Sequence, residues 1–140
     1  MPKFSRNPVN PDKDDPKPQP HPAELSGETV LLRIFVGADD HQKRLPLYEA
    51  IVLKAREQRL AGATVFRGLL GFGRSSRMHS GKILRLSTDL PIIIEIVDRQ
   101  EKIDAFLPHL EPMMRGGLVT LERAQVIRHR DDLVQKPVRR

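Results

Sequence analysis

Two runs of strand-forming residues, each followed by residues at helical spacing, constrain this chain more than any other feature of its sequence. In Thr29–Val36 (TVLLRIFV) the alternate residues Val30, Leu32, Ile34 and Val36 share one side, because successive strand side chains point to opposite faces. Pro91–Val97 (PIIIEIV) is the second run. The other side of each run is nearly as apolar: Leu31, Arg33 and Phe35 in the first, Ile93, Glu95 and Val97 in the second. Four apolar groups of six on this second side are too many to leave in water, so that face too calls for a cover.

Helical patterns follow both runs. Pro46 suits a first helical turn, Leu47, Tyr48, Ile51, Val52 and Ala55 recur at helical spacing, and Gly62 supplies a stop. Asp98 with Glu101 three residues later reads as a capping box opening a second helix. Its apolar stripe is Ile103, Phe106, Leu107, Leu110 and Met113, with Pro108 expected to kink or shorten it and Gly116-Gly117 to close it. Ala63–Arg67 and Leu118–Ile127 read as further strands, and the strand at Pro91 has an earlier possible start at Ile83–Leu86.

The order is therefore β-α-β-β-α-β. The fold class expected is α+β: a ferredoxin-like βαββαβ sandwich, with a four-stranded antiparallel sheet and two helices on one face. Its uncovered face is too apolar for water, so a second subunit is expected there, in a closed homo-oligomer.

Seven of the 12 prolines fall in the first 22 residues. Residues 1–26 hold almost no apolar content and are expected to form a disordered Pro-rich extension. Residues 27–130 form the single domain, enough chain for one core, and 131–140 a flexible tail. No run approaches the length of a transmembrane helix, and no apolar stretch after the first basic residues suggests a secretory signal. The absence of cysteine excludes disulfides and thiolate chemistry and fits a cytoplasmic protein.

The net charge of +6 is unevenly distributed. Residues 64–88 hold Arg67, Arg74, Arg77, Lys82 and Arg85 and no acid, a local +5 that calls for an anion. Most of it lies in the connection Leu69–Lys82, longer than an ordinary hairpin loop and carrying Gly71, Gly73, Gly81, Ser75, Ser76, Ser80 and His79. Small residues let backbone N–H groups approach a phosphate while arginines supply bidentate contacts. From spacing alone, a ligand loop and a solvated loop remain equal alternatives. A second basic cluster flanks the last strand: Arg115, Gly116 and Gly117 before it, Arg128, His129 and Arg130 after it. A capped helix and a frayed basic end would look the same.

Other function classes carry weaker signals. RNA-recognition sheets stack bases on aromatic residues, and this chain has five Phe, one Tyr and no aromatic residue in the run at Pro91, so nucleic-acid binding is the alternative and not the expectation. His41, His79, His109 and His129 show no metal-ligand spacing, and no nucleophile–base grouping emerges. No catalytic residue, metal or permanent cofactor is expected.

Several spaced blocks are similar to a known family. Gly71-Phe72-Gly73-Arg74, the strand Ile92–Asp98, the glycine pair before the last strand and Ala124–Arg128 resemble the PII signal-transduction superfamily. Pro46–Ile51, Gly62–Val65 with Arg67-Gly68, and Arg74–Arg77 resemble more closely the DUF190 (UPF0166) group of PII-like proteins. The likeness spans roughly residues 27–130. It implies a homotrimer of ferredoxin-like subunits that binds adenine nucleotides in clefts between neighbours and signals to a transporter, channel or enzyme through the loop after the second strand. By matching position, Gly71, Gly73 and Arg74 would line the cleft, Gly116 and Gly117 would hold phosphate, and Arg128 and Arg130 would be the paired arginines closing it. Arg77 and Arg115 join this set through the two basic clusters. Family association adds a fluoride exporter as a conceivable partner. A homotrimer without ligand, acting as a constitutive partner-binding module, is the further alternative.

Two departures narrow what the resemblance implies. Leu118 stands where PII proteins carry a phosphate-binding lysine, which favours AMP, ADP or a cyclic nucleotide over a triphosphate. The loop is shorter and lacks the modifiable tyrosine; the one tyrosine, Tyr48, falls on the first helix. Uridylylation and a nitrogen-sensing role are therefore not expected.

Overall fold

The computed structural model describes Leu25 and residues 27–73, 78–80 and 90–129. The expected tails at 1–26 and 131–140, apart from Leu25, and the earlier strand start at Ile83–Leu86 lie outside the described residues. The main elements are β1 (Thr29–Gly37), α1 (Leu47–Glu57), β2 (Thr64–Arg67), β3 (Pro91–Arg99), α2 (Gln100–Leu110) and β4 (Leu118–Ala124). They form one antiparallel sheet in the order β2-β3-β1-β4, the ferredoxin-like βαββαβ arrangement. The two long apolar strands occupy the centre of the sheet.

The core lies between the sheet and the helices. Val30, Leu32, Ile34 and Val36 of β1 and Ile92, Ile94 and Ile96 of β3 meet Leu47, Ile51 and Ala55 of α1 and Ile103, Phe106 and Leu110 of α2. Each large side chain buried here stabilises the fold by about 1.5–3 kcal/mol. The four-residue spacing of Leu47, Ile51 and Ala55 gives α1 one inward stripe.

Four local expectations change. Helix α1 ends before Gly62, with Arg59 in the left-handed region at φ 60°. Arg59 N–H donates to Arg56 O at 3.0 Å and Leu60 N–H to Ala55 O at 3.1 Å, a Schellman closure in which buried Leu60 sits over Ala55. Asp98 does not cap α2. It is the last inward-facing residue of β3, only 2% exposed, and its carboxylate accepts Ala61 N–H at 2.8 Å and Arg99 N–H at 2.7 Å. The loop after α1, 37 residues away in sequence, takes the carboxylate that a local reading gives to the helix.

Pro108 does not stop α2, which continues to Leu110 and tightens into a 3₁₀ turn at Glu111–Met113. Pro108 and Asp104, the residue whose carbonyl loses its helical partner, are both exposed, so water can serve that carbonyl. Strand β4 ends at Ala124 and not Ile127, because Ala124 pairs with Thr29, where its neighbour β1 begins.

Candidate ligand site

Strand β2 leads into the first candidate region through Gly68. Its N–H donates to Pro91 O at 2.7 Å, and a Cβ on Gly68 would stand 2.5 Å from Pro91 Cγ. Only glycine fits this approach, so the chain is turned tightly around the first residue of β3. Leu70–Phe72 then pairs with Met78–Ser80 as a two-stranded ribbon, with Gly71 opposite His79. The connection read as one long loop thus contains paired backbone. Gly71 also lies close to Pro91, whereas a side chain on Gly73 would meet nothing within 4 Å. Leu69, Leu70 and Phe72 stand 86%, 58% and 67% exposed.

The second region is the turn Arg115-Gly116-Gly117 between the 3₁₀ turn and β4. Gly117 adopts φ +92°, and a Cβ there would stand 2.4 Å from Phe35 O. Gly116 lies in open space and Arg115 is exposed. The backbone here is accessible to an anion, with a guanidinium beside it.

These regions occupy one end of the sheet but opposite edges. Three strand-to-strand steps separate β2 from β4, roughly 14 Å at the usual strand spacing. Arg128 is farther away, exposed beyond the other end of β4, where His129 Nδ1 accepts Leu25 N–H at 3.3 Å. The seven residues of β4 alone separate the two ends by about 20 Å. One protomer therefore brings Gly71 and Gly73 together, and Arg115, Gly116 and Gly117 together, but does not join these groups to each other or to Arg128. Arg74, Arg77 and Arg130 lie outside the described residues.

The face away from the helices carries Leu31, Arg33, Phe35, Ile93, Glu95 and Val97, as the alternation predicts. Register adds Phe66 of β2 and Leu118 of β4, forming the apolar row Phe66, Ile93, Phe35 and Leu118 across all four strands. Beside it Arg33 Nε donates to Glu95 Oε1 at 2.9 Å and Arg33 Nη1 to Glu122 Oε1 at 3.0 Å. The Glu95 hydrogen bond, with the nearby charges of Glu95 and Glu122, outweighs desolvation and raises the Arg33 guanidinium above its ordinary pKa. Glu122 was not singled out from the sequence, although the alternation of β4 places it on this face. Pro91 is the other contributor missed: proline opening a strand is a visible signal, but its approach to Gly68 is not.

Among the described residues no group of three His, Cys, Asp or Glu side chains is placed to hold a metal ion, and no helix is long and apolar enough to cross a membrane.

Comparison with known proteins agrees with this fold. The profile of DUF190, described as "Uncharacterized ACR", matches residues 29–126. Two UPF0166 proteins of Aquifex aeolicus (strain VF5) are 39% and 33% identical over 97 residues, which cover 69% of this chain and 91% and 95% of theirs. Among solved structures, the fold is similar to CPII, a nitrogen regulatory PII-like protein from Thiomonas intermedia K12, bound to ADP, AMP and bicarbonate. The TM-score is 0.56 at 20% identity, covering 73% of this chain and 91% of that one. A second CPII structure, bound to ADP and bicarbonate, gives a TM-score of 0.50 at 22% identity over the same shares of the two chains. On the span of the family match and the identity to these relatives, this chain belongs to the DUF190 (UPF0166) family.

Proposed function

We propose that this is a non-catalytic PII-like regulatory protein of the cytoplasm. Copies associate as a homotrimer through their open sheet faces and bind an adenine nucleotide in clefts between neighbours. The ligand state passes through the basic segment 69–82 to a transporter, channel or enzyme, a fluoride exporter among the candidates.

The observation that carries this reading is the presence of two glycine-dependent turns, at Gly68 against Pro91 where the segment 69–82 departs and at Gly117 against Phe35, on a fold whose neighbour CPII binds ADP, AMP and bicarbonate. Each turn is an incomplete site in one protomer. A second copy is the simplest means of completing it, and the apolar row on the open face supplies the reason for copies to meet. An anionic ligand would offset the local +5 of residues 64–88 and change which conformations of that segment are favoured, an order–disorder switch. Leu118 at the start of β4 offers no ammonium for a further phosphate, which supports AMP, ADP or a cyclic nucleotide.

The open face argues against nucleic acid. Phe35 and Phe66 offer rings, but Glu95 and Glu122 outnumber Arg33 beside them and repel phosphate. The exposed Leu69, Leu70 and Phe72 support the other alternative, a trimer that binds its partner without a small ligand.

Thermal unfolding of the full chain with AMP, ADP, ATP, cyclic AMP, cyclic di-AMP and bicarbonate separates these readings. A ligand at a hundred times its Kd adds about 2.7 kcal/mol per site, well within reach of a melting curve. We expect a shift with one adenine nucleotide that Arg115→Ala reduces. Unchanged melting across the panel would overturn nucleotide binding and leave the ligand-free trimer.

A further inference from the structure

The centre of the open face is charged where apolar residues would bind more strongly. Arg33 sits on β1 between Glu95 on β3 and Glu122 on β4, with ion-pair distances of 2.9 and 3.0 Å. On one side runs the row Phe66, Ile93, Phe35 and Leu118; on the other, Val97 and Leu31, whose row Glu122 completes, so the three charges lie diagonally across β3, β1 and β4. The Arg33 and Glu95 side chains are 28% and 31% exposed in a lone protomer and that of Glu122 59%, so a cover over the face would remove much of their remaining water. A bare arginine would resist such burial, whereas one met by two carboxylates can be covered at lower cost.

We propose that the Glu95–Arg33–Glu122 triad fixes how copies of this chain stack their open faces, setting register and copy number. The inference rests on the homo-oligomeric reading above and deepens it. Apolar contact is non-directional, and the flanking rows could be covered in several registers and by different numbers of copies. The triad breaks that degeneracy because its charges alternate negative, positive, negative across three adjacent strands. Laid directly over each other, two such triads oppose like charges. Staggered, a carboxylate of one meets the Arg33 of the next, whose remaining N–H donors can receive it. The occupant that matches this alternation is the same surface on another copy; a partner of single-sign charge meets repulsion at one member or another. A single buried polar group setting register and oligomer state is the best-attested use of such a group.

The test is native mass spectrometry and light scattering on the full chain, with circular dichroism to establish folding. The wild type is expected to give one assembled mass. Arg33→Leu leaves Glu95 and Glu122 without their cation and should weaken assembly by about tenfold or more. The triple variant Arg33→Leu, Glu95→Leu, Glu122→Leu has an apolar centre without an unpaired charge. It should assemble again, but as a mixture of copy numbers. If the triple variant gives the same single mass as the wild type, the triad is not the key, and the proposal is overturned while the homo-oligomer stands. A wild type that stays monomeric overturns the homo-oligomeric reading itself. Should Arg33→Leu fail to fold, the triple variant alone still decides.

Discussion

Gly117 lies against Phe35 so closely that a Cβ would stand 2.4 Å from the Phe35 carbonyl oxygen, and its φ of +92° is one that L side chains rarely adopt. Both constraints act on the turn that leads into β4. Neighbouring Gly116 carries neither, since nothing lies within 4 Å of its Cβ position.

The two glycines should therefore respond differently to the same substitution. Gly117→Ala is expected to destabilise the fold by about 1–3 kcal/mol, through backbone strain and a steric clash. Gly116→Ala should remain within about 0.5 kcal/mol of wild type. Urea unfolding of both variants measures this, and equal midpoints would remove the structural claim on Gly117.

Asp98 supplies a second asymmetry. Its buried carboxylate accepts the Ala61 and Arg99 N–H groups, tying the end of α1 to the start of α2. Asp98→Ala leaves Ala61 N–H without its partner and should destabilise the chain by about 1–3 kcal/mol. Asp98→Glu, a poorer fit at the same site, should recover only part of that. By contrast, Glu101→Ala, at the other position of the expected capping box, should change stability by less than about 0.5 kcal/mol, since among the described residues Glu101 makes only an exposed ion pair with Arg99. If Glu101→Ala proves as damaging as Asp98→Ala, the capping box does operate in solution.

These contrasts show where the sequence is informative and where it is not. Alternation in TVLLRIFV and PIIIEIVD identifies the strands and the side of each that enters the core, because that pattern is imposed residue by residue, whereas their place at the sheet centre comes from the pairing. Asp98 and Glu101 have the right spacing for a local cap, and nothing nearby in sequence announces Ala61 as a competitor. Arg59 closes α1 in a conformation usually given to glycine, so the sequence signal for a stop falls at Gly62. The Leu70–Phe72 strand is three residues long with a glycine at its centre, too short for periodicity to reveal. The separation of Arg115 from Arg128 depends on the length of β4 and emerges only once strand order and register are known.

Gly68 and Pro91 form the fixed point from which the ribbon departs. Gly68→Ala would force its Cβ into the Pro91 ring and is expected to cost about 1–3 kcal/mol locally. The atoms nearest a Cβ on Gly68 all belong to Pro91, and none to the buried core side chains of β1, β3, α1 and α2. Hydrogen exchange should therefore quicken in residues 64–72 while Ile34 and Ile94 amides keep their protection. Uniform acceleration across the sheet would show that the contact supports the whole fold and not the ribbon base.

The distance between Arg115 and Arg128 makes a prediction about assembly and ligand together. At opposite ends of β4, the two cannot hold one phosphate group within a protomer, so a cleft using both must take them from different copies. Arg115→Ala and Arg128→Ala should each weaken nucleotide binding while leaving the assembled mass unchanged. When the two variants are unfolded together and refolded as mixed assemblies, random pairing restores both arginines in about one cleft in four. Titration with the nucleotide found in the melting panel should then show that fraction of sites at wild-type affinity. If mixing restores no sites although mixed assemblies form, Arg115 and Arg128 do not share an inter-subunit cleft. The basic end beyond β4 would then be a solvated terminus, and phosphate would be held by the Arg115–Gly117 turn without it.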